Sequence, residues 1–289
     1  MEKLRRSWCI FQESMRLIGE RKKLLIFPLI SAAAMILLIS LIIGGIGVLT
    51  VLMPEAAEQT AEPTEAAELC TAVAFLVFYL LTMLVSTFCN VAFFEEIFRG
   101  LEGEEVSIRR GIGFAFRRFT AVFLWSLFAS TVGVILHMFQ RRSGLLGAIA
   151  GKIAGVAWAV ASCFAIPVLV SDTELNNPVE ALRRSAATIR RTWGEALIGF
   201  LGIQSISALA VVLFFGFTAG MVALSVSCAV TMYLTLPLIA AAMIALILFC
   251  YLVHVAQQIY QAALFLYSQG EPVEGFDRAE LECAFRSRY

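Results

Sequence analysis

The sequence predicts an all-α fold, a polytopic membrane helix bundle with six transmembrane helices. Three observations carry that prediction. Long runs hold no charge at all, the composition is too apolar for a soluble domain, and basic residues gather in alternate loops. Apolar residues make up 60% of the 289, charged residues 15%, and the mean hydropathy is +0.85. A soluble domain has roughly 45–50% apolar and about 25% charged residues. The surplus must face lipid or a very large core.

A crossing helix needs about 20 mostly apolar residues. The first run, Leu24 to Met53, is 30 residues without a charge. The second runs from Leu69 to Phe94, the third from Phe119 to Phe139, and the fourth from Leu145 to Ser171, interrupted only by Lys152. The stretch from Ala196 to Tyr267 is 72 residues without a charge, counting His254 as neutral. It accommodates two long helices, 196–223 and 231–267, or three ordinary ones with breaks near Gly216, Gly220, Ser225–Cys228 and Pro237.

Charge chooses between them. Cytoplasmic loops carry an excess of Lys and Arg. Seven precede residue 24, five lie in 95–118, four in 172–195 and three after 267, which is 19 of the 22. The loop 54–68 holds no Lys or Arg and five glutamates. Six spans put every basic segment on one side, so both termini are expected in the cytoplasm and the protein in the cell membrane. The first run is about twice a signal-peptide core of 7–15 residues, so it is read as an uncleaved helix.

The basic segments have internal order. Leu4, Trp8, Phe11, Met15 and Ile18 recur at helical steps, as do Ile108, Ile112, Ala115 and Phe119, and Val179, Leu182, Ala186, Ile189 and Trp193. Ser107 is a cap candidate for the second. Asn177, Pro178 and Glu180 mark the start of the third. All three share a word: Leu4-Arg5-Arg6-Ser7, Ile108-Arg109-Arg110-Gly111 and Leu182-Arg183-Arg184-Ser185. The chain therefore reads as three copies of an interfacial helix plus a transmembrane hairpin, over 1–94, 95–171 and 172–267, with a cytoplasmic tail at 268–289. The competing account is that any inner loop collects arginines. Arg5, Arg6, Arg109, Arg110, Arg183, Arg184, Arg190 and Arg191 are the interfacial basic residues, suited to anionic lipids. The third helix is expected to lie flat on the inner leaflet, or else to pack against protein.

Several words on these segments carry a resemblance. They are Leu25-Ile26-Phe27-Pro28-Leu29-Ile30-Ser31, Ile166-Pro167-Val168-Leu169-Val170, Ala181-Leu182-Arg183-Arg184-Ser185 and Arg191-Thr192-Trp193-Gly194-Glu195. With the tail from Gly275-Phe276-Asp277 to Ala284-Phe285, they resemble an uncharacterised prokaryotic family of six-helix integral-membrane proteins, a domain of unknown function. The resemblance implies the architecture and supplies no activity or site residues.

Catalytic chemistry has no foothold. There is no phosphate-binding glycine loop, no H-E-x-x-H and no G-x-S-x-G. His137 and His254 fall in different spans, Asp172 and Asp277 lie outside the spans, and no acid lies within one. The seven cysteines form no C-x-x-C pair, so no disulfide framework, metal site or cofactor is predicted. Zero net charge gives no sign of a nucleic-acid partner.

Two intramembrane features remain. Tyr251, His254, Gln257, Gln258 and Gln261 form a polar stripe on the last helix. With Asn90 and Gln204 they form either a cytoplasm-facing pocket or hydrogen bonds between neighbouring helices. Gly147, Gly151, Gly155 and Ala159 give the fourth span a small-residue face, for packing within the bundle or against a second copy. The function expected is that of a non-enzymatic multi-pass protein supporting transport or organising lipid or protein partners. The alternative is a carrier of small or lipid-like solutes that uses the polar pocket.

Overall fold

The computed structural model describes residues 19, 21–52, 65–142, 144–228 and 232–270; the side chains of 191–207 and of several helix ends fall outside that description. Among the described residues there are helices and turns and no strand. A 3-10 turn, Lys22–Leu25, leads into α1 (Ile26–Leu52). Then come α2 (Glu65–Leu101), α3 (Ile108–Arg117), α4 (Phe119–Arg142), α5 (Gly144–Ser162), α6 (Ala165–Ser171), α7 (Pro178–Cys228) and α8 (Met232–Gln269). Among the described residues five stretches are long and apolar enough to cross a membrane: Lys22–Gly45, Val73–Leu101, Phe119–Met138, Ile149–Ser171 and Thr235–Leu266. A shorter apolar stretch, Ala208–Ala223, lies in α7. The region 196–267 thus holds parts of two helices, separated by residues 229–231.

Three expectations need correction. The second helix does not stop with the apolar run at Phe94. It has 37 residues, about 55 Å at 1.5 Å per residue, and its last turns carry Glu95 and Glu96. Acids therefore do occur within a crossing-length helix. The fourth span is two helices, because Pro167 has no N–H to donate to the carbonyl four residues earlier; the chain turns at Cys163 and Phe164. The third basic helix is not a separate element. It forms the first turns of α7, a helix of 51 residues. Its start is as expected, with Pro178 first and the Asn177 Oδ1 accepting from the N–H groups of Val179 (2.9 Å) and Glu180 (3.5 Å).

Contacts divide the chain into two units. The larger, 26–99 with 105–190, contains α1, most of α2, α3 to α6 and the start of α7. Here α4 and α5 pair as a hairpin. Trp125 stacks on Trp158 at 6.3 Å, and Phe128 meets Trp158 edge-on at 5.8 Å. α2 crosses α4 where Gly133 leaves room for the Tyr79 ring; a Cβ at Gly133 would stand 2.5 Å from the phenol oxygen. In the smaller unit, the Tyr251 hydroxyl of α8 donates to the Leu25 carbonyl, and Arg21 donates to the Glu104 carbonyl.

Burial is uneven along the helices. Residues 91–98 are all buried, so the end of α2 is covered on every side. The same holds for 262–266 of α8. By contrast Ile36, Leu41 and Ile43 of α1 and Ile244 and Ile247 of α8 are about 60% exposed or more. Each unit thus has its own buried stretch, while long apolar runs of α1 and α8 stay exposed.

Gly111 is the tightest point beside the first of these stretches. A Cβ there would meet the Ala92 carbonyl oxygen at 2.7 Å and the Glu96 Cγ at 2.9 Å. Gly to Ala within a helix normally gains about 1 kcal/mol, but this site has backbone where the methyl would go. Gly111→Ala is therefore expected to destabilise by about 1–3 kcal/mol, read as a lower midpoint in thermal unfolding of the detergent-solubilised protein.

Candidate functional site

The basic helix α3 is the best-defined polar structure in the larger unit, and it is organised by a carboxylate. Glu96 is fully buried. Its Oε2 accepts from the Ser107 N–H at 2.6 Å and from Arg110 Nη2 at 2.9 Å; its Oε1 accepts from Arg110 Nε at 2.8 Å. Arg110 also donates to the Glu105 carbonyl at 2.7 Å. A buried carboxylate without partners costs several kcal/mol; here a bidentate guanidinium and a backbone N–H supply three donors. Ser107 does occupy the N-cap position of α3, but it acts through its backbone, because its hydroxyl makes no cap bond.

The arginine pair of α3 divides its labour. Arg110, expected at the lipid interface, turns inward to Glu96, while Arg109 is exposed. In the second described copy both arginines are exposed and both reach an acid, Arg183 lying 3.8 Å from Glu180. Arg183 is 83% exposed, and Arg184 meets Asp172 at 2.7 Å and Glu180 at 3.2 Å. The fourth residue of each of these two words is small and buried. Gly111 lies under α2, and the Ser185 hydroxyl donates to the Ala161 carbonyl (2.6 Å) and accepts from the Phe164 N–H (3.0 Å). Ser185 thereby satisfies backbone groups at the turn between α5 and α6. The start of α7 consequently rests on protein along Ala181, Ser185 and Thr188, with Ile189 also buried. Of the expected lipid-facing stripe Val179 is exposed, and Leu182 and Ala186 are half-buried. Of the two arrangements expected, packing against protein is the one these contacts describe, with the start of α7 docked on the α5–α6 turn. Arg190 is exposed; the side chain of Arg191 and all of Arg5 and Arg6 lie outside the described residues.

Sequence reasoning took Arg118 only as one of the basic residues of 95–118, in the Arg117-Arg118 pair before a span, and missed its role. It caps α3, is buried, and spends two nitrogens on the loop between α6 and α7. Nη2 donates to the carbonyls of Leu175 (2.6 Å), Asp172 (3.0 Å) and Leu169 (3.2 Å); Nη1 donates to the Thr173 carbonyl and to Asn176 Oδ1 at 3.4 Å. Burial pulls its pKa below the ordinary arginine value, and the Asp172 and Glu174 carboxylates pull it back up. Nothing in an Arg-Arg pair before a span distinguishes such a clamp from a headgroup contact. Glu96 did have a signal: Phe94, Ile97, Phe98 and Leu101 continue the helical spacing past the apolar run.

The remaining predicted residues are more dispersed. Tyr251, Gln257, Gln258 and Gln261 are half-buried on α8 and His254 is exposed. The Gln258 Oε1 is buried without a hydrogen-bond partner. Asn90 belongs to the other unit, where its amide donates to Ser86 Oγ at 3.4 Å on its own helix. The side chain of Gln204 lies outside the described residues. On α5, Gly151 is buried, Gly147 and Gly155 are half-buried, and Ala159 is exposed. A side chain at Gly155 would meet open space.

Residues 69–275 match the model of a family of unknown function (DUF6159), and the chain belongs to that family. The match takes in the words around Ile166, Ala181 and Arg191 and leaves out Leu25–Ser31. No curated protein and no solved structure matches the chain.

Two measurements probe this geometry. Arg118→Lys keeps the charge but not the planar fork, and should cost about 2–4 kcal/mol through carbonyls left unpaired, seen as faster proteolysis between α6 and α7. The hydrogen bond from Arg184 holds the Asp172 carboxyl below its ordinary pKa. A lowered carboxylate pKa gives stability that is complete above the ordinary value, near pH 4, and is lost as pH falls through the lowered one. The unfolding midpoint should therefore carry no Asp172 contribution to its slope between about pH 5 and 8. Asp172→Asn should flatten the acid limb by no more than about 1 kcal/mol, since the pair is partly exposed.

Proposed function

We propose that this member of DUF6159 is a six-span protein of the cell membrane with both termini in the cytoplasm, which organises lipid or membrane-protein partners, or supports transport, without catalysis of its own. The carrying observation is the exterior. Large apolar side chains such as Leu41, Ile153 and Ile244 are each about 60% exposed or more along stretches of crossing length. Such a surface is unfavourable in water and matched in lipid. Basic residues flank it where cytoplasmic loops are expected, and α3 exposes Arg109 and Arg117 beside Phe116 at 65% exposure. A helix that mixes exposed arginine with exposed phenylalanine suits a headgroup layer. A second reading, a carrier working through the polar stripe of α8, draws support from the unpartnered Gln258 Oε1.

Reporter fusions separate this topology from others. Fusions after Ser268 and within 172–177 should report a cytoplasmic location, and fusions within 55–62 an external one. An external tail would replace six spans with an odd number. Gln258→Leu tests the carrier: unchanged or raised thermal stability with unchanged cellular phenotype removes that reading, whereas a lost phenotype in a stable protein favours it.

A further inference from the structure

The larger unit contains an apolar groove of about 360 Å³, within the roughly 300–1,000 Å³ typical of ligand pockets. Ile30 and Ala34 of α1, Leu84 and Phe88 of α2, and Ile112 and Phe116 of α3 form its walls. Its wall on α1 runs from Phe27 to Ala34, about 10 Å along the helix axis. That wall lies within the crossing-length stretch Lys22–Gly45, and the α2 wall within Val73–Leu101. The groove thus descends from the basic helix into the apolar layer. Its rim at Phe116 and Phe119 is 65% and 47% exposed.

The mouth has the opposite chemistry. Arg109 precedes Ile112 by three residues and Phe116 by seven, so it stands on the same side of α3 as these two lining residues. It is exposed and takes part in no ion pair among the described residues. Its neighbour Arg110 is committed to Glu96. Arg117, also exposed, has its guanidinium 5.8 Å from the centre of the Phe114 ring. A slot without polar walls, entered beside a cation free to take an anion, is complementary to a molecule with an apolar tail and a negative head.

We propose that the groove holds one acyl chain of an anionic phospholipid of the cytoplasmic leaflet, with the lipid phosphate on Arg109. This rests on the reading that α3 lies at the headgroup surface. The lipid would be a bound structural or regulatory ligand. Ala34 is half-buried in the wall, so a larger side chain there occupies the groove, and Leu84→Trp does so from the opposite helix.

The test is native mass spectrometry of the full chain, released from detergent after titration with phosphatidylglycerol or phosphatidylcholine of identical acyl chains. The wild type should retain one phosphatidylglycerol more tightly than the others, with about a five-fold preference over phosphatidylcholine, as one basic residue near a headgroup provides. Arg109→Gln should reduce that preference to near unity while the groove still accepts a chain. Ala34→Trp and Leu84→Trp should lose the tightly held lipid; at least one must retain the wild-type elution volume and helical circular dichroism. Benzoylphenylalanine at position 116 should add the mass of a phospholipid on irradiation. An unchanged lipid count in a folded groove-filling variant overturns the proposal, as does a cross-link from position 116 to protein instead of lipid. Reporter fusions that read as expected beside such a result would show that the groove assignment fails while the topology stands.

Discussion

A carboxylate that cannot be left unpaired governs the larger unit. Glu96 is buried in the second-last turn of the 37-residue helix α2, where an isolated charge would cost several kcal/mol. Satisfying it requires an arginine fork and a backbone N–H within 3 Å, and both come from the start of α3. That requirement fixes where α3 lies. It demands glycine at 111, because the helix backbone must come within touching distance of α2. It also turns Arg110 inward, leaving Arg109 outside. Arg118 then carries the linkage onward, binding the far end of α3 to the loop before α7.

The position of the core follows from where water is. Between helices immersed in lipid there is no hydrophobic driving force, since lipid tails are as apolar as leucine. If the basic ends lie outside that environment, as proposed, burying Phe94, Ile97, Phe164, Leu169 or Ile259 there removes apolar surface from water. The exposed apolar stretches of α1, α5 and α8 need no protein partner if lipid covers them. Small polar groups serve the same ends locally. Ser185 restores hydrogen bonds at the α5–α6 turn, and Ser126 Oγ bonds the Val122 carbonyl at 2.7 Å within α4.

Long apolar helices were legible in the sequence because each needs a long uncharged run, and 24–53, 69–94 and 119–139 show it. The start of α7 was legible because Asn177 and Pro178 act through local backbone chemistry. What escaped was the work of individual charges. The words at 108–111 and 182–185 mark two helix starts, yet nothing local says that the second arginine of each reaches an acid more than ten residues earlier. That choice depends on Glu96 and Asp172, 14 and 12 residues earlier in the chain. Arg118 and Arg117 are adjacent and chemically identical, and only the packed loop 169–176 separates the clamp from the surface cation. The continuity of α7 was hidden by the change from charged to apolar residues at Glu195. A helix can pass such a boundary unbroken, because its backbone hydrogen bonds are internal on both sides.

The most direct measurement of this account is a double-mutant cycle on Glu96 and Arg110, with Glu96→Gln, Arg110→Gln and the double variant unfolded in detergent. If the buried pair organises the unit, each single change costs about 3 kcal/mol. The double variant should then cost scarcely more than either, giving a coupling of about 2 kcal/mol or greater. Losses that simply add, with coupling near zero, would show that α3 is held by its apolar contacts and that Glu96 is a passenger in the core.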